Sequence, residues 1–166
     1  MALPHDLLDL ADHLARREPR RPRQASLRRA VSSAYYGLFH LLIDAASRQL
    51  APSRPIELRA KIGRAFNHRD MQGVCRQFSS GSPADATRGL IAYPIEPELI
   101  LVARAFVQLQ EARHEADYNL SVRLDRFAAL QKIAFAREAF EAWRGVRSLP
   151  NAAVFLTALL LQARWR

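Results

Sequence analysis

The sequence predicts an all-α protein, a bundle of about five or six helices, and three observations carry that reading. Apolar residues recur at helical spacing through most of the 166 residues. No long segment has the strict apolar/polar alternation of a solvent-exposed strand. Prolines, together with one Ser/Gly/Pro-rich stretch, cut the periodic text into pieces of helical length.

The first expected helix runs from about His5 to Arg17 and places Leu7, Leu10 and Leu14 on one side. It stops before Pro19, and Glu18 to Gln24, reading EPRRPRQ, is a charged linker. A second helix covers about Gln24 to Leu50, with a stripe of Leu27, Val31, Ala34, Leu38, Leu41, Leu42 and Ala45 thickened by Tyr35, Tyr36 and Phe39. At 1.5 Å per residue it would be roughly 40 Å long, which makes it the spine of the bundle. Pro52 and Pro55 end it, and a less regular helical region follows from about Ile56 to Phe78. Ser79 to Pro97, with SSGSPAD and YPIEP, is a loop between helical halves of one domain spanning 1–166.

A fourth helix is expected from about Glu98 to Asp117 on Leu99, Val102, Phe106 and Leu109. The fifth covers about Ser121 to Arg147, burying Phe127, Leu130, Ile133, Ala134, Phe140 and Trp143. Pro150 opens a short last helix, because proline is tolerated where the first-turn amide has no intrahelical partner. Val154, Phe155, Ala158, Leu159 and Leu161 leave that helix little polar surface, so it completes the core or covers a second subunit.

The 25 Lys and Arg against 16 Asp and Glu leave a formal charge of +9, which favours a polyanionic partner such as nucleic acid. Cys75, the single cysteine, excludes an intramolecular disulfide and a multi-cysteine metal site, and suits a reducing compartment. The start MALPHDLLDLADHLARR carries acids from position 6 and no long apolar run, unlike a secretory signal. Ala152 to Ala163 is a dozen largely apolar residues where a bilayer needs roughly 20. A cytoplasmic protein without a membrane partner is therefore expected. The five histidines form neither an HExxH pair nor a His/Cys cluster, and no Gly-rich phosphate loop is present, so neither metal nor cofactor is expected.

The segment Arg113-His114-Glu115-Ala116-Asp117-Tyr118 concentrates the chemistry. On a helix Arg113 pairs with Asp117 and His114 with Tyr118, each four residues apart and on adjacent faces. Arginine can grip a phosphate and stabilise its transition-state charge, and histidine can transfer a proton near neutrality. The plainer alternative is a helix-surface ion pair beside an exposed histidine and a packed tyrosine. His40, four residues after Tyr36, is either a second proton-transfer group or a hydrogen-bonded structural histidine. Basic residues gather around the first linker, including Arg28 and Arg29, and again after the segment, including Arg123 and Arg126. Those four arginines are candidates for RNA binding if folding brings the two sets together, and otherwise belong to a solvated basic face.

LRRAVSSAYYGLFH followed far downstream by RHEADYNLSVRLDRFAALQKIAFAREAF resembles the HEPN superfamily, particularly bacterial members with an AYYxxFH-like and an RxxADY segment. The resemblance implies an antiparallel helical bundle and a homodimer in which the motif helices meet. It also implies two functions of different classes. One is an RNA-binding protein acting as a metal-independent endoribonuclease in a toxin-antitoxin or defence system. The other is a noncatalytic interaction protein partnered with a nucleotidyltransferase. Arg113 matches the family's arginine and His114 its following polar position, but Tyr118 stands where nuclease members carry histidine. With a reference pKa near 10, tyrosine is a poor base at neutrality. His114 or His40 would have to take the role, with Asp117 holding Arg113 and Tyr118 orienting the group or substrate.

Overall fold

The computed structural model describes residues 2–53 and 55–165. Among these, all regular structure is helical: α1 (Leu3–Arg16), α2 (Gln24–Leu50), α3 (Ile56–Gly63), α4 (His68–Ser79), α5 (Asp85–Arg88), α6 (Pro97–Tyr118), α7 (Arg126–Val146) and α8 (Pro150–Leu161), with a closing 3-10 turn at Gln162–Arg164. No helix of the described residues is long and apolar enough to cross a membrane. The chain forms two compact units, one within residues 1–40 and 105–140, the other within 41–104 and 141–166. Helices α2, α6 and α7 each supply residues to both.

The described helices outnumber the five or six expected because the 56–78 region is two helices and the 79–97 loop contains one helical turn. Asn67 makes the division, its side chain accepting from the backbone N–H of Arg69 at 2.8 Å and of Asp70 at 3.3 Å as the N-cap of α4. Helix α4 ends on Gly81, whose φ of 71° allows Ser82 N–H to reach Gln77 O at 3.0 Å and Gly81 N–H to reach Phe78 O at 3.0 Å.

In the first unit, α1 buries Pro4, Leu8, Ala11 and Ala15, while Leu10 is 44% exposed. The buried face is thus rotated from the expected leucine stripe, because small residues permit a closer approach. A Cβ on Gly37 would lie 3.1 Å from the Pro4 carbonyl oxygen and 3.4 Å from the Leu8 side chain, so the N-terminal end of α1 sits directly on α2. Helix α7 starts at Arg126, later than expected. Asn119 Oδ1 accepts from Ser121 N–H and Oγ–H, turning the chain, and Asp125 Oδ1 then caps Ala128 N–H at 2.7 Å. Ala129, Ile133, Ala136 and Phe140 are buried along α7. Phe127, two positions before Ala129 and so about 200° around the helix, is 70% exposed instead of buried. Ala134 is exposed and Leu130 half-buried.

The second unit packs α8 on α4. Phe155 meets Phe78 edge-on with ring centroids 4.9 Å apart, and both are fully buried. The last helix therefore completes an intramolecular core. Asn151 is buried too, exchanging two hydrogen bonds with the backbone of Ala92 at 2.7 and 2.8 Å and donating a third to Glu96 at 3.0 Å. That amide ties the loop before α6 to the start of α8. Cys75 lies in the same unit, and complete burial pushes its thiol well above the ordinary range, which makes it an inert packing group.

Candidate functional site

The two segments singled out in the sequence, on α2 and α6, adjoin within the first unit of a single chain. Arg113 and Asp117 form the expected ion pair along α6, Nε to Oδ2 at 2.8 Å. The N–H is not aimed along that line, so the contact is electrostatic more than a well-formed hydrogen bond. The other oxygen of Asp117 accepts from the Ser32 hydroxyl of α2 at 2.5 Å. Ser32 is 2% exposed while the Asp117 side chain is 21% exposed, so this charge-assisted bond is part-buried and only partly screened by water.

Three tyrosines surround the guanidinium. Its central carbon lies 5.4 Å from the Tyr36 ring, 5.8 Å from Tyr118 and 5.9 Å from Tyr35, all within cation–π range. Tyr35 is fully buried and rests edge-on against Phe106 at 5.5 Å, so the floor of the cage belongs to the core. Tyr118 is 65% exposed and forms the outer wall. Burial opposes the charge of Arg113, but the electrostatic fields of Tyr36, Asp117 and Tyr118 outweigh it and the pKa is raised. Arg113 is a permanent cation held in one place.

The two candidate histidines reach this cage through its tyrosines. His114 is exposed and its ring lies 5.0 Å from that of Tyr118. His40 is half-buried, 6.3 Å from the Tyr36 ring and 5.4 Å from Phe39. Burial pushes His40 below its ordinary value of 6.5, disfavouring the charged imidazolium. Ring–ring and cation–π neighbours thus link His40, Tyr36, Arg113, Tyr118 and His114 in a row within one unit. Two hollows of that unit, of about 530 and 510 Å³, lie elsewhere. The first is lined by Asp9, Asp12, His13, Arg16, Arg17 and Arg137, and the second includes Gln108, Glu111, Glu115 and Lys132.

The four basic candidates divide into two kinds. Arg28 donates through Nη1 to the carbonyls of Ala116 at 2.7 Å and Asn119 at 3.0 Å, and through Nη2 to that of Val122. It satisfies the orphan C-terminal end of α6 and fastens the loop beyond. Arg126 does the same for α1, donating to the carbonyls of Ala15 at 3.1 Å, Pro19 at 2.8 Å and Glu18. Arg29 and Arg123 are exposed.

Sequence reasoning treated Tyr35 and Tyr36 as packing groups and passed over Ser32. The signal was present: positions 32, 35 and 36 fall on one face of α2, so a hydroxyl and two rings point the same way. What they face is a property of the tertiary structure. No protein-family model, curated protein or solved structure matches this chain.

Proposed function

We propose that this chain is a HEPN-like RNA-binding protein, an antiparallel helical bundle that works as a homodimer, with the Arg113 cage as its phosphate-recognising site. The observation that carries the reading is the cage itself. A permanent cation is fixed by Asp117 and three tyrosine rings beside an exposed Tyr118–His114 pair that an unpaired base can stack on. Arg29 and Arg123 supply exposed positive charge, and the net charge of +9 favours a polyanion.

Metal-independent cleavage is the catalytic form of this reading, and it would draw on His40, whose ring lies 6.3 Å from that of Tyr36 in the cage. In that form His40 takes the proton from a ribose 2'-OH as its oxygen attacks phosphorus. Arg113 stabilises the charge on the phosphoryl oxygens, and the same histidine, or His114 in its place, returns the proton to the departing 5'-oxygen to leave a 2',3'-cyclic phosphate. The noncatalytic reading, an interaction subunit for a nucleotidyltransferase, is favoured by Tyr118 in the place of histidine and by the burial of Arg113, whose side chain is only 19% exposed.

Incubation of labelled single-stranded RNA with the protein in EDTA separates them. Cleavage that disappears in both Arg113→Lys and His40→Gln supports the catalytic form. Binding without cleavage, weakened in Arg113→Lys and Tyr118→Ala, supports recognition alone. If the wild-type protein neither binds nor cuts RNA, the RNA reading fails and capture of a nucleotidyltransferase becomes the test of the interaction reading.

A further inference from the structure

Two basic stretches far apart in sequence are fastened together in the first unit. Residues 16–23 read RREPRRPR, and all five of their arginines are exposed. Arg126, a hundred positions downstream, holds this stretch by hydrogen bonds to the carbonyls of Ala15, Glu18 and Pro19. Gln24, the next residue of the stretch, exchanges two side-chain hydrogen bonds with the backbone of Leu124, at 2.7 and 3.0 Å, beside exposed Arg123. The one acid of the stretch, Glu18, turns its carboxylate back to the Ser26 hydroxyl at 2.9 Å and the Arg23 N–H at 3.4 Å.

The arginines of this arch are not equally engaged. Arg16 pairs with Asp12 at 2.9 Å, and Arg23 lies 3.9 Å from Glu18. Among the described residues no carboxylate lies within 4 Å of the Arg17, Arg20 or Arg21 guanidinium, although the charge of Arg17, like that of Arg23, acts on the Glu18 carboxylate. Arg17 also lines the 530 Å³ hollow shared with Asp9, Asp12, His13, Arg16 and Arg137, a concave flank of mixed charge beside the arch. Two prolines and three carbonyl tethers restrict the backbone before any ligand arrives, so little further ordering entropy is lost on binding.

From this convergence we infer that residues 17–23 with Arg123 form a preshaped grip for the phosphate backbone of single-stranded RNA. The inference rests on the RNA-binding reading and assigns the bulk of its salt-dependent affinity to this arch, away from the Arg113 cage. An exposed, unpaired guanidinium on a fixed backbone releases counterions when it meets a phosphate, and its planar fork matches the phosphate oxygens.

The test is fluorescence anisotropy with a single-stranded RNA of about 20 nucleotides, titrated across a salt series, with circular dichroism to confirm folding. The triple variant Arg17→Gln, Arg20→Gln, Arg21→Gln should lose on the order of tenfold in affinity and lower the slope of log K against log salt by about two, at roughly 0.7 per phosphate contact. Arg126→Lys keeps its charge but cannot hold three carbonyls, and should bind several-fold more weakly with little change in slope. Wild-type binding that survives intact in the triple variant, with its slope unchanged, overturns the arch while leaving RNA binding at the cage in place. Arg126→Lys binding as tightly as wild type overturns the preshaping. Absence of wild-type binding at low salt removes both the arch and the RNA reading on which it rests. Equal capture of poly-glutamate, also lost in the triple variant, overturns RNA as the partner in favour of an acidic protein.

Discussion

Arg28→Ala should destabilise the protein by about 2–4 kcal/mol, through the loop after α6 and not through a lost ligand contact. The substitution removes three hydrogen bonds from a charged donor, to Ala116, Asn119 and Val122, and leaves their carbonyls without that partner. Charge-assisted bonds are each worth about 1.5–3 kcal/mol, but they do not add, and water can reach part of a half-buried site. Those two discounts bring the sum to the range stated. Arg28→Lys should recover less than half, because an ammonium on a flexible stem cannot span carbonyls from three residues of a turn. Urea denaturation followed by circular dichroism gives the free energy, and amide exchange at residues 119–124 gives the location. A loss below about 0.5 kcal/mol with unchanged exchange in that segment would falsify the clamp and return Arg28 to the surface set.

Ser32→Ala should cost about 1–2 kcal/mol by removing the hydroxyl bond to Asp117, and a double-mutant cycle with Asp117→Asn should show the two changes to be non-additive. Additive losses would mean that the 2.5 Å contact carries no energy. Phe155→Ala, which empties a fully buried site against Phe78, should cost about 3–5 kcal/mol in thermal or chemical denaturation. A small loss would place α8 outside the core. His40 is expected to make stability fall with acid. Its folded pKa lies below the ordinary 6.5, so the unfolded chain binds the proton more readily. The contribution from keeping the ring neutral is present above about 6.5 and is lost as pH drops through the folded value. His40→Gln should flatten that part of the stability-pH curve, and an unchanged curve would count against burial as the cause.

Local chemistry made much of the fold legible. Helix α2 occupies the span its apolar stripe marks, and Pro150 opens α8 where a missing N–H costs nothing, while α6 begins at Pro97, one residue before the expected Glu98. The Arg113–Asp117 pair follows from spacing alone. Asn67 was an equally local signal that went unread, since an N-cap inside a helical pattern looks like any polar position until its amides are accounted for. The exposure of Phe127 and Leu10 was not legible, because periodicity shows that a helix has an apolar face without saying which rotation admits the closest packing.

The same limit separates the arginines. By itself the sequence determined an all-helical chain, its principal breaks, the acid-base segment on α6 and a strong positive charge, since these depend on neighbours within about one turn or on a sum over residues. Tertiary structure alone decided that Arg28 and Arg126 spend their donors on backbone carbonyls about a hundred positions away, while Arg17, Arg20 and Arg21 stay outward. It alone set two tyrosines and a serine of α2 around the Arg113–Asp117 pair. A guanidinium is chemically the same in every one of these places, and what it does depends on which acceptors and rings long-range packing brings within 3 to 6 Å.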